Sequence, residues 1–289
     1  MICKKKFAVI GGDLRQLYLA KELESKSNKV NLYGFDKIND ILESVSLESA
    51  IDGAEYIVLP LPVSRSGKSI NAPFCSREIN IDLQFAQLLC DKKVFVGQTS
   101  TIIHSIEKYV KTENFQVFDY YNEEFIIRNA YLTAEGALSI AISNLKKTLG
   151  KCKCLVVGYG RIGKILSQLL KNLGSVVTVS ARKKSDRVLA ETYGYNVTNI
   201  SNENDKLEYD IIFNTVPAQI FDKSMLERCV QDVIILDLAS APGGVDKKEA
   251  SILGIKNIHA LGIPGKFFPK ESGEIVAKSI FQIIKEENL

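Results

Sequence analysis

With 289 residues the chain exceeds the length one hydrophobic core usually serves, so two domains are expected. Its 46% hydrophobic and 25% charged residues are those of a globular protein, and a net charge of +3 with no dense Lys/Arg tract gives no warrant for a nucleic-acid partner. No apolar run approaches membrane-spanning length, and Phe7-Ala-Val-Ile10 is interrupted by Gly11-Gly12-Asp13 too soon for a signal peptide; a cytoplasmic protein is expected.

In chain order, Lys6–Ile10 reads as a strand, Gly11-Gly12-Asp13 as a turn, and Leu14–Ser25 as a helix with apolar Leu14, Leu17, Tyr18 and Leu23. Residues 29–34, 56–60 and 94–97 are further strands with helical stretches between them. Strands alternating with helices predict βαβ units and a parallel sheet. The Gly-Gly-Asp turn lacks a third glycine, and Asp13 sets a negative charge where a pyrophosphate would come. Asp13 is better read as a helix N-cap, and this half as the carrier of substrate.

A connecting helix is expected over residues 131–149, with Thr133 as its N-cap and small residues for close packing. The second series runs strand 154–157, helix 161–172, strand 176–180, helix 186–193 and strands 211–214 and 233–238; an amphipathic helix follows at 272–285. The expected fold class is α/β: two Rossmann-like, doubly wound parallel-sheet domains joined by long helices. Their bounds are 1–130 and 150–269, with 270–289 packing back on the first. Six cysteines (Cys3, Cys75, Cys90, Cys152, Cys154 and Cys229) form no C-x-x-C pair, and the histidines are His104 and His259, so no metal site is expected.

Chemistry is densest at Gly158-Tyr159-Gly160-Arg161-Ile162-Gly163, which joins an apolar strand to a helix. The first glycine permits a tight turn, the second lets backbone approach a pyrophosphate, and the third lets helix and strand pack closely. The phosphates would meet the positive end of a helix. An NAD site wants an acid about 20 residues on, for the ribose 2′-hydroxyl. Here the second strand ends Ser180-Ala181-Arg182-Lys183, with no acid and with groups suited to a 2′-phosphate. NADP is the expected cofactor, with NAD as the alternative. Thr215-Val216-Pro217 and Ala239-Ser240 follow later strands, at the carboxyl ends where ligands of open sheets lie.

On the substrate side, Ser64 and Arg65 follow a strand of the first half, and an arginine there suits a carboxylate. Arg15, Arg128 and Thr133 are further candidates; His104 and Glu135 are candidate bases. Each has a plain alternative, a solvated surface residue or a helix-turn acid.

Taken together, these motifs resemble the dipicolinate synthase A-subunit family along essentially the whole chain. The likeness is carried by Val9-Ile10-Gly11-Gly12-Asp13 with Arg15-Gln16, Gly34-Phe35-Asp36, Leu59-Pro60-Leu61-Pro62, and Asn129-Ala130 with Thr133-Ala134-Glu135-Gly136-Ala137. Further on it is carried by the glycine loop, Asn214-Thr215-Val216-Pro217-Ala218, Asp237 to Ser240 with Pro242-Gly243-Gly244, and Gly262-Ile-Pro-Gly265-Lys266. The resemblance implies an architecture similar to formate/glycerate-type dehydrogenases. It also implies an NAD(P)-dependent step yielding pyridine-2,6-dicarboxylate during spore formation, a small dicarboxylate substrate, and, as partner, the flavodoxin-like dipicolinate synthase B-subunit. A homo-oligomer is expected. One departure is informative: where hydroxy-acid dehydrogenases carry an arginine after the strand of Asp237, this chain has Ala239-Ser240-Ala241, which argues against α-hydroxy-acid oxidation. The alternatives are a shikimate-type dehydrogenase and a nucleotide-binding subunit without activity of its own.

Overall fold

Short runs of β-branched and aromatic residues, each too brief for a helix, become the strands of two parallel sheets. The structure, a computed structural model, describes residues 4–98, 101–110, 115–201 and 205–289. Cys3 lies outside them.

By its contacts the chain divides into Met1–Ile126 with Phe268–Leu289, and Ile127–Phe267. In the first unit β1 (Lys6–Ile10), β2 (Lys29–Tyr33), β3 (Tyr56–Val58), β4 (Lys93–Val96) and β5 (Gln116–Asp119) form a parallel sheet in the order β2-β1-β3-β4-β5. Phe7 pairs with Val30 on one side and Tyr56 on the other. This is the flavodoxin-like order, whose switch point lies between β1 and β3. Helices α1 (Leu14–Ser25), α2 (Leu47–Ile51), α3 (Leu83–Leu88) and α4 (Thr101–Tyr109) belong to the same unit.

Asp13 caps α1, its side chain accepting the Arg15 N–H at 3.1 Å. What closes the Gly11-Gly12 turn to a nucleotide is more than this charge. The Gly12 N–H donates to the Asn71 carbonyl at 2.8 Å, and a Cβ on Gly11 would stand 3.0 Å from Ala72 and Ile70. The chain's own loop takes the place of an anion.

Helix α5 (Glu123–Asn144) corrects the expected N-cap at Thr133. Asn122 starts the helix instead, its Oδ1 accepting the Phe125 N–H at 2.9 Å. Thr133 is buried at mid-helix and donates its hydroxyl to the Asn129 carbonyl at 2.8 Å.

The second unit holds β6 (Lys153–Val157), β7 (Val176–Ser180), β8 (Asn196–Thr198), β9 (Ile211–Asn214), β10 (Ile234–Asp237) and β11 (Lys256–His259). Their order is β11-β10-β9-β6-β7-β8, all parallel, as in dinucleotide-binding folds. Helices α6 (Arg161–Asn172), α7 (Lys184–Thr192), α8 (Lys223–Glu227), α9 (Lys247–Ile252) and α10 (Ile263–Phe267) accompany it. Cys154 lies in the core between β7 and β9, where burial pushes its thiol up to about 12.

Helix α11 (Pro269–Glu286) lies against α1, and Gly273 makes the approach possible: a Cβ there would stand 2.5 Å from the Arg15 carbonyl. The edge strands β5, β8 and β11 are absent from the sequence expectation because each is short and half-exposed, without the continuous apolar run of a central strand. Among the described residues no helix is long and apolar enough to cross a membrane, and no His/Cys/Asp/Glu group is arranged to hold a metal ion.

Candidate functional site

The three glycines of the second unit have three different reasons to be glycine. Gly158 adopts φ +97°, and a Cβ there would meet Thr215 Oγ1 at 2.4 Å. A Cβ on Gly163 would meet the Gly158 carbonyl oxygen at 2.1 Å, so only hydrogen lets α6 lie against β6. Gly160 is the N-cap of α6, and no atom lies within 4 Å of where its Cβ would be. Among the described residues nothing crowds a Cβ at Gly160. The open space lies beside the N-terminal turn of a twelve-residue helix, where unpaired N–H groups and the dipole attract anions. These residues fit a dinucleotide pyrophosphate.

The other loop residues divide between surface and core. Arg161 is exposed and Ile162 half-buried, whereas Tyr159 turns into the core against Tyr195, and burial pushes its phenol up to about 12.

After β7, Arg182 and Lys183 are exposed, and neither side chain has a polar partner among the described residues. Ser180 stands apart from them, as a correction. It is buried, and its hydroxyl accepts the Ile200 N–H at 3.3 Å, because the last residue of a central strand points into the sheet's own layers. Ala181 is likewise buried. A residue missed in the sequence organises this turn: Arg187 Nη1 donates to the Ala181 carbonyl at 2.6 Å and to the Arg182 carbonyl at 2.9 Å. Its position on α7, one turn below the loop, is the signal that could have found it.

The loops after β9 and β10 are tied together by a buried carboxylate. Asp237 is fully buried and accepts Asn214 Nδ2 at 2.8 Å, the Gly244 N–H at 2.8 Å and the Ala239 N–H at 3.3 Å. Asn214 in turn binds both backbone groups of Val216, and His259 shares a 3.0 Å hydrogen bond with the Ala239 carbonyl. Thr215 donates its hydroxyl to the Val157 carbonyl at 2.9 Å; Pro217 and Ser240 are exposed, and Ala239 is buried. The candidate nicotinamide loops are therefore held by strand-end side chains, and Asp237 and Asn214 do more than end strands.

The predicted substrate and base residues separate: Arg15, Ser64, Arg65 and His104 belong to the first unit, Arg128, Thr133 and Glu135 to the second. Arg15 gives Nε and Nη2 to Asp13 at 2.8 and 2.9 Å and Nη2 also to the Leu61 carbonyl at 2.6 Å, a local clip. Ser64 closes a turn by accepting the Gly67 N–H at 2.9 Å. Arg65, in contrast, lines a cavity of about 340 Å³ together with Asn71, Arg77 and apolar side chains. Arg128 is exposed on α5 and is already engaged by other groups. His104 sits on the solvent side of α4, 3.5 Å from Glu107, and Glu135 is exposed at mid-helix in α5 instead of in its first turn. Neither lines the arginine-bearing cavity.

Two doubly wound units, the second with its glycine loop between strand and helix, define an oxidoreductase fold carrying a Rossmann-type NAD(P)-binding domain. Residues 153–241 match the family described as NADP oxidoreductase coenzyme F420-dependent. Residues 6–121 match the family described as the N-terminal domain of the dipicolinate synthase A-subunit. The chain is 28% identical to the dipicolinate synthase A-subunit of Bacillus subtilis (strain 168), over 99% of its own length and 98% of the relative's. Crystal structures of the same synthase component from Bacillus halodurans and Bacillus subtilis superpose with TM-scores of 0.85 and 0.84, at 26% and 27% identity. The Bacillus halodurans match covers 97% of each chain; the Bacillus subtilis match covers 99% of this one and 97% of the other. Over 99% of its length the chain is similar to the dipicolinate synthase A-subunit. A D-lactate dehydrogenase from Treponema pallidum, at 11% identity and a TM-score of 0.64 over 98% and 97% of the two chains, shares the fold.

Proposed function

We propose that this chain carries out the nicotinamide-dependent oxidation of a dihydrodipicolinate-level precursor to pyridine-2,6-dicarboxylate for spore formation. The observation that carries the reading is likeness, along 99% of the chain, to the dipicolinate synthase A-subunit. NADP, with NAD as the alternative, supplies the hydride acceptor when bound. The first N–H groups of α6, from Gly160 to Ile162, hold the pyrophosphate, and the exposed Arg182 and Lys183 hold the 2′-phosphate. Residues 215–217 and 239–240 line the nicotinamide end.

Arg65 grips a substrate carboxylate and sets the ring for transfer. Loss of a hydride and a neighbouring proton makes the ring aromatic, so orientation contributes more than a strong base. The proton passes to an enzyme base or to water. The protein works in the cytoplasm, as a homo-oligomer, beside the flavodoxin-like B-subunit.

The test is turnover of dihydrodipicolinate by purified chain with NADP, in the presence and in the absence of the B-subunit. Precursor-dependent formation of NADPH and of pyridine-2,6-dicarboxylate is expected. Nucleotide binding without turnover under either condition would leave a nucleotide-binding scaffold and sink the proposal.

A further inference from the structure

The loop after β3 does more than seal the Gly11-Gly12 turn. It folds back on itself: Ile70 N–H donates to the Ile79 carbonyl at 2.9 Å, Ile81 N–H to the Lys68 carbonyl at 2.8 Å, and Ser69 bridges antiparallel to Asn80. The cavity of about 340 Å³ lies in this fold-back, within the range of about 300–1,000 Å³ in which small-ligand pockets fall. Ile70 and Ile79, both buried, give it an apolar side.

Its two cations are presented differently from Arg15, the other arginine of the unit. Arg65 is held by one edge, its Nε donating to Asn71 Oδ1 at 3.1 Å, and its two NH2 groups make no hydrogen bond among the described residues. Asn71 is itself buried, and its main chain is bonded on both sides, to Val63 and to Gly12. The fork of Arg65 is therefore aimed at little cost in ordering, with the face that matches a carboxylate still free. Arg77 lines the same cavity and has no ion pair among the described residues. Glu78 also lines the cavity and accepts the Ser69 hydroxyl at 2.6 Å, so one acid stands against the two cations there. Two guanidinium groups, one held only by its Nε edge and neither in an ion pair among the described residues, stand beside an apolar wall and suit a planar ring with two carboxylates.

We infer that this cavity binds the ring dicarboxylate, with Arg65 and Arg77 each taking one carboxylate and Ile70 and Ile79 against the ring. The inference rests on the proposed dicarboxylate chemistry and adds to it Arg77 and the cavity. Isothermal titration of the full chain with pyridine-2,6-dicarboxylate tests it, using parent, Arg65→Met, Arg77→Met and the double variant. Thermal melts run alongside. Both side chains are exposed, so the variants are expected to melt as the parent does. Each single substitution should weaken binding about tenfold or more, the worth of one charge-assisted pair. The double variant should show none, and pyridine-2-carboxylate should bind the parent more weakly than the dicarboxylate. Dicarboxylate binding that survives both substitutions in folded protein overturns the inference alone. A parent that binds no dicarboxylate, with or without NADP, overturns the reading beneath it as well.

Discussion

A Gly163 Cβ would have to share space with the Gly158 carbonyl, in the residue that follows β6 and whose own N–H is bonded to the Ser180 carbonyl. Gly163→Ala is expected to cost about 3 kcal/mol through forced separation of helix and strand. Urea titration should show the loss, together with weakened nucleotide binding. Arg182 calls for the opposite kind of experiment, because no fold contact depends on its exposed side chain. Arg182→Ala should melt as the parent does yet bind NADPH about tenfold more weakly, with NADH unchanged. Equal affinities for the two nucleotides in both proteins would remove the 2′-phosphate role. The close packing of Gly163 was legible because glycine spacing is a local feature. Ser180 was misread because strand phase, which buries it, is set by the neighbours β6 and β8.

Between elements, β9, β10 and β11 end on one polar cluster rather than on three independent turns. Asp237 accepts from groups on both sides of it in space, and Gly243 packs so closely that a Cβ would be 2.5 Å from its Oδ2. Asp237→Asn keeps the shape but turns an amide NH2 or a weaker acceptor toward donors that need an oxygen. A loss of about 2 kcal/mol is expected, seen in the melting temperature. Nicotinamide-end affinity should fall with it, because the loops at 215–217 and 239–240 hang on this carboxylate. The sequence shows Asn214 and Asp237 only as strand ends. Their pairing at 2.8 Å follows from the register that sets them side by side across β9 and β10.

At the scale of the whole molecule, burial acts on groups that ionise only in alkali. It pushes Cys154 and Tyr159 up to about 12 and Cys229 up to about 11. Each group holds its proton more tightly folded than unfolded. The stability this contributes is complete below the unfolded values, near 9.0 for the thiols and 10.0 for the phenol, and is lost as pH rises toward the folded ones. The midpoint of urea unfolding is therefore expected to be level up to about pH 9 and to fall progressively between about pH 9 and 12. Cys154 should resist thiol reagents until the chain unfolds. A midpoint that stays level through that window would show that these groups are more solvated than their surroundings imply.

The amino-acid sequence by itself determined the alternation of strand and helix, the glycine turn between β6 and α6, the absence of an acid at the end of β7 and the capping role of Asp13. Each depends on a few neighbouring residues, and local backbone chemistry is enough to read them. Tertiary structure decided which arginine is free. Arg15 and Arg65 look alike along the chain, but Asp13 and Leu61 hold the first, while Asn71 holds the second by one edge and leaves its fork open. It decided also that Asn71 closes the first glycine turn, that Arg77 shares a cavity with Arg65, and that Asp237 joins two loops. The contacts of Gly12 with Asn71 and of Asn214 with Asp237 join segments distant in sequence, which parallel strand pairing brings within hydrogen-bond reach, while Arg65 and Arg77 meet because the loop after β3 folds back on itself.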